Sequence, residues 1–164
     1  MQIIYLAGGC FWGVQGYFDL LGGVCESCVG YANSNKPYPS YQDVCGGDTN
    51  ATEAVRIIFD EDTLSLNMLL QRFFSIIDPT ALNHQGNDWG SQYRSGIYLE
   101  EETFLGEIQD FITLHIQPLY AKKIVTEVNV LENFYPAEEY HQKYLQKNPN
   151  GYCHICLDDA LKPL

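Results

Sequence analysis

Ile3-Ile4-Tyr5-Leu6-Ala7-Gly8-Gly9-Cys10-Phe11-Trp12-Gly13-Val14 changes its hydrophobic pattern across two glycines. The apolar run 3–7 reads as a buried strand, which Gly8 and Gly9 break. Phe11, Val14, Tyr17, Phe18 and Leu21 then recur at helical spacing, up to Gly22-Gly23 as a stop signal. Cys10 falls at the junction, between a strand and the first turn of a helix.

Outward from this unit, residues 24–31 read as a second strand and 32–50 as loop by composition. Glu53, Val55, Ile57 and Phe59 alternate with Ala54, Arg56, Ile58 and Asp60, which predicts a strand with Glu53 on the side of three large apolar residues. Leu66, Leu69, Leu70, Phe73 and Ile77 form a helical stripe that Asp78-Pro79 ends. Residues 80–95 read as a second polar loop and 96–99 as a strand. Glu100, Glu101 and Glu102 suit the first turn of a helix with apolar positions Leu105, Ile108, Ile112, Ile116 and Leu119. A strand is expected at 127–131. Pro136 is expected as the first residue of a last short helix reaching about Gln146. Residues 148–164 read as an irregular tail. With no internal repeat or linker, the expectation is a single domain over 1–164. Its class is α+β, a two-layer α/β sandwich with a ferredoxin-like (α/β plait) core.

A chain of 164 residues with 46% hydrophobic and 18% charged residues suits one globular core. It holds no run of about 18 apolar residues that would span a membrane. The start of the chain lacks the basic stretch of a signal peptide, so a cytoplasmic location is expected. Nine Lys and Arg against 21 Asp and Glu leave a net charge of −12, which repels phosphate backbones and anionic lipids. Neither nucleic acid nor membrane is therefore expected as a partner. The six cysteines are Cys10, Cys25, Cys28, Cys45, Cys153 and Cys156. Without a leader they read as catalytic thiols or a metal site before disulfides.

At a helix N-terminus the Cys10 sulfur has backbone N–H groups and the helix dipole to favour its thiolate, a nucleophile at neutral pH. A buried inert thiol is the alternative. Phe11 and Trp12 build either an apolar pocket beside it or plain core. Glu53, if buried, has its pKa raised and serves as a general acid; at a strand end it is an ordinary solvated carboxylate. Tyr41, Tyr93 and Asp88 lie in the polar loops, where binding groups concentrate. Cys25-Glu-Ser-Cys28 and Cys153-His-Ile-Cys156 are both C-x-x-C, which leaves open a zinc module or a dithiol-exchange protein. Against zinc, Cys25 and Cys28 face opposite sides of a predicted strand. His84, His115, His141 and His154 each offer a base for Cys10, so a cysteine hydrolase is a further alternative. No spacing selects one of them.

Gly9-Cys10-Phe11-Trp12-Gly13-Val14 resembles the opening signature of the A-type peptide methionine sulfoxide reductases. Gly30-Tyr31, Pro39-Ser40-Tyr41-Gln42-Asp43-Val44-Cys45, Gly47-Asp48-Thr49 and Glu53-Ala54-Val55 resemble successive motifs of that family. So do Gln85-Gly86-Asn87-Asp88, Gln92-Tyr93-Arg94-Ser95, Tyr140-His141-Gln142 and Gly151-Tyr152-Cys153, in family order. The resemblance implies a thioredoxin-dependent reductase of methionine S-sulfoxide, free or in oxidised proteins. It implies Cys10 as nucleophile, Phe11 and Trp12 around the substrate methyl, and Glu53 as proton donor. Tyr41, Tyr93 and Asp88 would surround the sulfoxide oxygen, and Cys153 in the tail would resolve a Cys10 sulfenic acid. It implies no metal and no organic cofactor. Gln15 stands where the family usually has Glu, and Trp89 where His is frequent. Cys25, Cys28 and Cys156 match no standard family position.

Overall fold

The computed structural model describes residues 1–164. β1 (Gln2–Ala7) leads through Gly8, Gly9 and Cys10 into α1 (Phe11–Phe18), and the chain returns as β2 (Val24–Ala32). α2 (Tyr41–Cys45) precedes β3 (Thr52–Phe59), and α3 (Leu66–Ser75) follows it. A small hairpin of β4 (His84–Gln85) and β5 (Asp88–Trp89) and a 3₁₀ turn at Ser91–Tyr93 lead into β6 (Gly96–Leu99). α4 (Leu105–Phe111) runs on through a π turn and a 3₁₀ turn to Leu119. β7 (Glu127–Val130) and β8 (Phe134–Pro136) complete the strands. A 3₁₀ turn at Glu139–His141, α5 (Tyr144–Lys147) and a 3₁₀ turn at Leu157–Leu161 close the chain.

The main sheet has the order β7-β6-β1-β3-β2-β8. Its four central strands, β6, β1, β3 and β2, pair antiparallel with one another. Taken in chain order, β1, α1, β2, β3, α3 and β6 form the βαββαβ plait expected from the sequence. β7 extends it in parallel beside β6, and β8 pairs antiparallel with β2.

Strand alternation sorts the side chains into two unequal layers. Ile4 pairs with Ile57 and Leu6 with Val55 across β1 and β3. These residues share one buried core with Phe59, Val14 and Phe18 of α1 and Leu69, Leu70 and Phe73 of α3. The opposite face carries a much smaller cluster of Tyr5, Ala7, Ala32, Ala54 and Tyr98. Glu53 has the parity of Val55, Ile57 and Phe59, so its carboxyl points into the helical layer, where it is 2% exposed.

Several elements differ from the sequence reading. The loop predicted at 32–50 contains α2, whose five residues are specified by a capping box and not by periodicity. Asp43 N–H donates to Ser40 Oγ at 3.1 Å, and Ser40 N–H donates to Asp43 Oδ2 at 2.9 Å. The loop predicted at 80–95 contains the β4–β5 hairpin. The Glu100–Glu102 run lies in turns ahead of α4, whose first residue is Leu105. Pro136 does not begin a helix. It ends the edge strand β8 opposite Gly30, an edge position where a missing N–H costs no ladder bond. The helix expected to follow is reduced to α5, because Lys143 takes a left-handed conformation (φ 54°) just before it. Past β8 a side chain continues the ladder: Gln142 accepts from Val29 N–H at 3.0 Å and donates to Val29 O at 2.9 Å.

Gly30 lets β8 pack closely. A Cβ there would lie 2.5 Å from both Phe134 Cζ and Tyr135 O. Gly30→Ala is therefore expected to destabilise the fold by about 1–3 kcal/mol through overpacking against backbone. Urea unfolding checks this, and an unchanged midpoint would show that β8 is not held against β2 as described.

Candidate active site

Gly9, at φ 88°, turns the chain out of β1, a conformation that a residue with a Cβ rarely adopts. Cys10 then takes the N-cap of α1, and the N–H groups of Trp12 and Gly13 bear on its sulfur. The residue is 8% exposed, shielded but not sealed. Glu53 meets the same helix end from β3. Phe11 N–H donates to Glu53 Oε1 at 3.1 Å, which satisfies one of the N–H groups the helix cannot use itself. Burial pushes the Glu53 carboxyl up to about 8; the Phe11 N–H pulls it down and the Asp88 charge adds to the rise.

The expectation of a resting Cys10 thiolate is corrected by this environment. Burial raises the Cys10 thiol well above its ordinary value, and the charges of Glu53 and then Asp88 add to the rise. The Trp12 and Gly13 N–H groups offset only part of it. A helix of eight residues supplies too little dipole to outweigh the lost hydration of a buried sulfur. Cys10 rests as a neutral thiol.

Tyr41 begins α2, and Tyr93 ends the 3₁₀ turn that follows β5. Burial raises both phenols, and the Glu53 charge raises both further, so they stay protonated donors. Asp88 and Cys10 also act on Tyr93, whereas Cys45 bears most directly on Tyr41 after burial. Asp88 Oδ2 accepts from the Tyr152 hydroxyl at 3.0 Å. Cys10, Glu53, Tyr41, Tyr93 and Asp88 thus form one electrostatic neighbourhood, although they come from five separate stretches of chain.

Phe11 is fully buried against Tyr31 and His141, while Trp12 is half-buried. The Trp12 indole N–H donates to His141 Nδ1 at 3.0 Å, and its ring stacks on Tyr144 with centroids 3.7 Å apart. The sequence offered His141 only as one of four possible bases for Cys10 and gave Tyr144 no role. The available signal was Trp12 itself, since a partly buried indole N–H needs an acceptor. Burial lowers the His141 pKa and keeps its Nδ1 free to accept.

Cys153 returns to the first turn of α1: a Cβ on Gly13 would lie 3.2 Å from its sulfur. The tail that carries it is anchored by Arg72, which donates to Asp159 O at 3.1 Å and Lys162 O at 2.8 Å. All six cysteines are free. The two C-x-x-C pairs do not converge, and no three His, Cys, Asp or Glu residues are grouped to hold a metal ion. His141 Nδ1 is taken by the Trp12 indole, and His154 Nε2 lies 3.2 Å from Gly8 O.

The family model described as peptide methionine sulfoxide reductase matches residues 2–164. A Clostridium perfringens protein named peptide methionine sulfoxide reductase MsrA is 55% identical over 158 residues, covering 96% of this chain and 100% of that one. The fold matches the crystal structure of Mxr1 from Saccharomyces cerevisiae in reduced form with a TM-score of 0.87 at 39% identity, covering 94% of this chain and 91% of that one. Mxr1 in complex with Trx2 matches with a TM-score of 0.63 at 28% identity, covering 87% and 84%.

Glu53 makes stability depend on pH in a stated direction. An ordinary glutamate titrates near 4.5 and the buried one near 8, so the folded chain keeps a proton that the unfolded chain loses between these values. Its contribution is present below the lower value and is lost as pH rises towards the upper one. Glu53→Gln is expected to flatten the urea midpoint across this window; a slope equal to the parent's would assign it to other groups. The same variant is expected to alkylate at Cys10 with a midpoint at lower pH, because the Glu53 charge no longer opposes the thiolate. An unshifted midpoint would separate the two residues electrostatically.

Proposed function

The chain belongs to the peptide methionine sulfoxide reductase family and reduces methionine sulfoxide, and on that premise we infer that Cys10 carries the reaction on the S epimer, free or within proteins. Trp12 and Phe11 form the pocket for the substrate methyl. Tyr41 and Tyr93 donate to the sulfoxide oxygen, Asp88 completes the polar shell, and Glu53 delivers the proton. That polarisation makes the substrate sulfur electrophilic. The working form pairs a protonated Glu53 with an ionised Cys10, since two negative charges this close disfavour one another.

The Cys10 sulfur attacks, the sulfur–oxygen bond of the substrate breaks, and methionine leaves. The oxygen stays behind as a Cys10 sulfenic acid. Cys153 attacks that sulfur, water departs, and a Cys10–Cys153 disulfide forms. A thioredoxin reopens the disulfide by thiol exchange, a reading supported by the complex of Mxr1 with Trx2. No metal or organic cofactor enters any step. Residues 1–164 act as one reductase domain, with the tail 148–164 delivering the resolving thiol. The proposed setting is repair of oxidised proteins in the cytoplasm. Six free thiols suit a reducing compartment, and no helix is long and apolar enough to cross a membrane.

The observation that carries this reading is a proton-holding Glu53, bonded to Phe11 N–H, at the helix end that bears Cys10. In a single turnover, reduced protein is expected to lose two thiols for each methionine released. Cys10→Ser should abolish release, and normal release from that variant would refute the assignment. Cys153→Ser should release one equivalent and then fail to recycle with thioredoxin. Glu53→Gln should slow methionine release on the order of 10²-fold, as expected for loss of a general acid. Mass spectrometry after one turnover should find Cys10 joined to Cys153; a Cys10–Cys156 product would transfer the resolving role.

A further inference from the structure

Three reactive atoms crowd one residue of α1. The N–H of Gly13 bears on the Cys10 sulfur. A Cβ on Gly13 would lie 3.2 Å from Cys153 Sγ and 3.5 Å from His154 Nδ1. A side chain here would press on Cys153 Sγ and touch the His154 ring.

The hydrogen bonding of His154 fixes its tautomer. Nε2 lies 3.2 Å from Gly8 O, and a carbonyl oxygen only accepts, so Nε2 carries the ring proton. A neutral imidazole has a single N–H, which leaves Nδ1 with a bare lone pair. That atom is buried and has no hydrogen-bond partner. An unsatisfied buried acceptor is costly, and proton transfer is one way in which such an atom is used. Burial keeps the ring neutral, opposed by the Gly8 carbonyl and the Asp88 charge from the hairpin. Cys153 and Cys156 flank it in the chain.

Cys153 needs a base. Its sulfur donates to Ile155 O at 3.0 Å, so it is a proton-bearing thiol, and burial raises its pKa. A thiol in that state attacks a sulfenic acid poorly, because the thiolate is the nucleophile.

We propose that His154 is the general base of the resolving step: its bare Nδ1 takes the Cys153 thiol proton as Cys153 Sγ attacks the Cys10 sulfenic acid. For the transfer, the Cys153 side chain leaves Ile155 O and comes within hydrogen-bond reach of Nδ1 as it turns towards the Cys10 sulfur. The sulfur–sulfur bond forms with the electron pair released from the S–H bond, and the sulfur–oxygen bond of the sulfenic acid breaks. The departing oxygen takes the proton from His154 and leaves as water. Cys153 is oxidised, the Cys10 sulfur is reduced, and no outside reductant is consumed. The inference rests on the roles given to Cys10 and Cys153 above.

His154→Gln separates the two functions of the ring, because a glutamine amide donates to Gly8 O but offers no basic nitrogen. The experiment is a single turnover of the full chain with methionine sulfoxide, following methionine released and thiols remaining. The expected result is a methionine burst of parental rate and amplitude with disulfide formation slowed on the order of 10²-fold near neutral pH. The deficit should shrink as pH rises into the thiol range, where Cys153 ionises without help. Three outcomes overturn the proposal: disulfide formation at the parental rate, a slowing equal at every pH, or loss of the burst itself, which would make His154 a support of the Cys10 site. Cys153→Ser run alongside keeps the two readings apart. If that variant still converts Cys10 to a disulfide at the parental rate, through another thiol such as Cys156, the role of Cys153 fails whatever His154→Gln does.

Discussion

The hydrogen bond from Phe11 N–H to Glu53 Oε1 joins the two halves of the molecule's chemistry. It holds a carboxyl group in an apolar layer that by itself rejects charge, and it uses an N–H that α1 must satisfy somewhere. Loss of water then acts on Glu53 and Cys10 alike. The Glu53 charge raises the proton affinity of Cys10, and the Asp88 charge raises that of both. This arrangement depends on register. Glu53 pairs with Tyr31, and β3 pairs with β1 so that Val55 and Ile57 face the helices. A slip of one residue would send Glu53 to the opposite face and bring Ile58 inward.

Beyond β7 the chain has little regular structure, and side chains do much of the holding. The Gln142 amide pairs with both backbone groups of Val29. Gln15 is buried on α1, where it donates to Ser27 Oγ at 3.1 Å and accepts from Lys143 N–H at 2.8 Å. A glutamine does both at once without ionising, which a carboxylate at that position cannot. Charge enters this cluster through Asp19, paired with Lys143 at 2.7 Å. Lys143 is the left-handed residue that directs Tyr144 beneath Trp12, so the cluster sets the floor of the aromatic wall beside Cys10. Sheet edge, helix α1 and tail are tied together around that wall.

The central elements were legible because each carries its own periodicity. The alternation through 53–59 revealed both β3 and the side on which Glu53 lies, and the stripe of Leu69, Leu70 and Phe73 revealed α3. Elements set by partners were not legible. β8 exists because β2 offers it an edge, and α2 because Ser40 and Asp43 cap one another. The hairpin at 84–89 brings Asp88 towards Cys10 while its own composition reads as polar loop.

The sequence by itself determined the plait, the junction that seats Cys10, and a set of motifs sufficient to suggest a methionine sulfoxide reductase. Those follow from local pattern, which is written in neighbouring residues. Only the folded chain decided protonation and proximity: that Cys10 rests neutral, that His141 fixes the Trp12 indole, and that Cys153 and His154 gather at Gly13. Proton affinity depends on water removed and charges brought near, and residues far apart in the chain supply both.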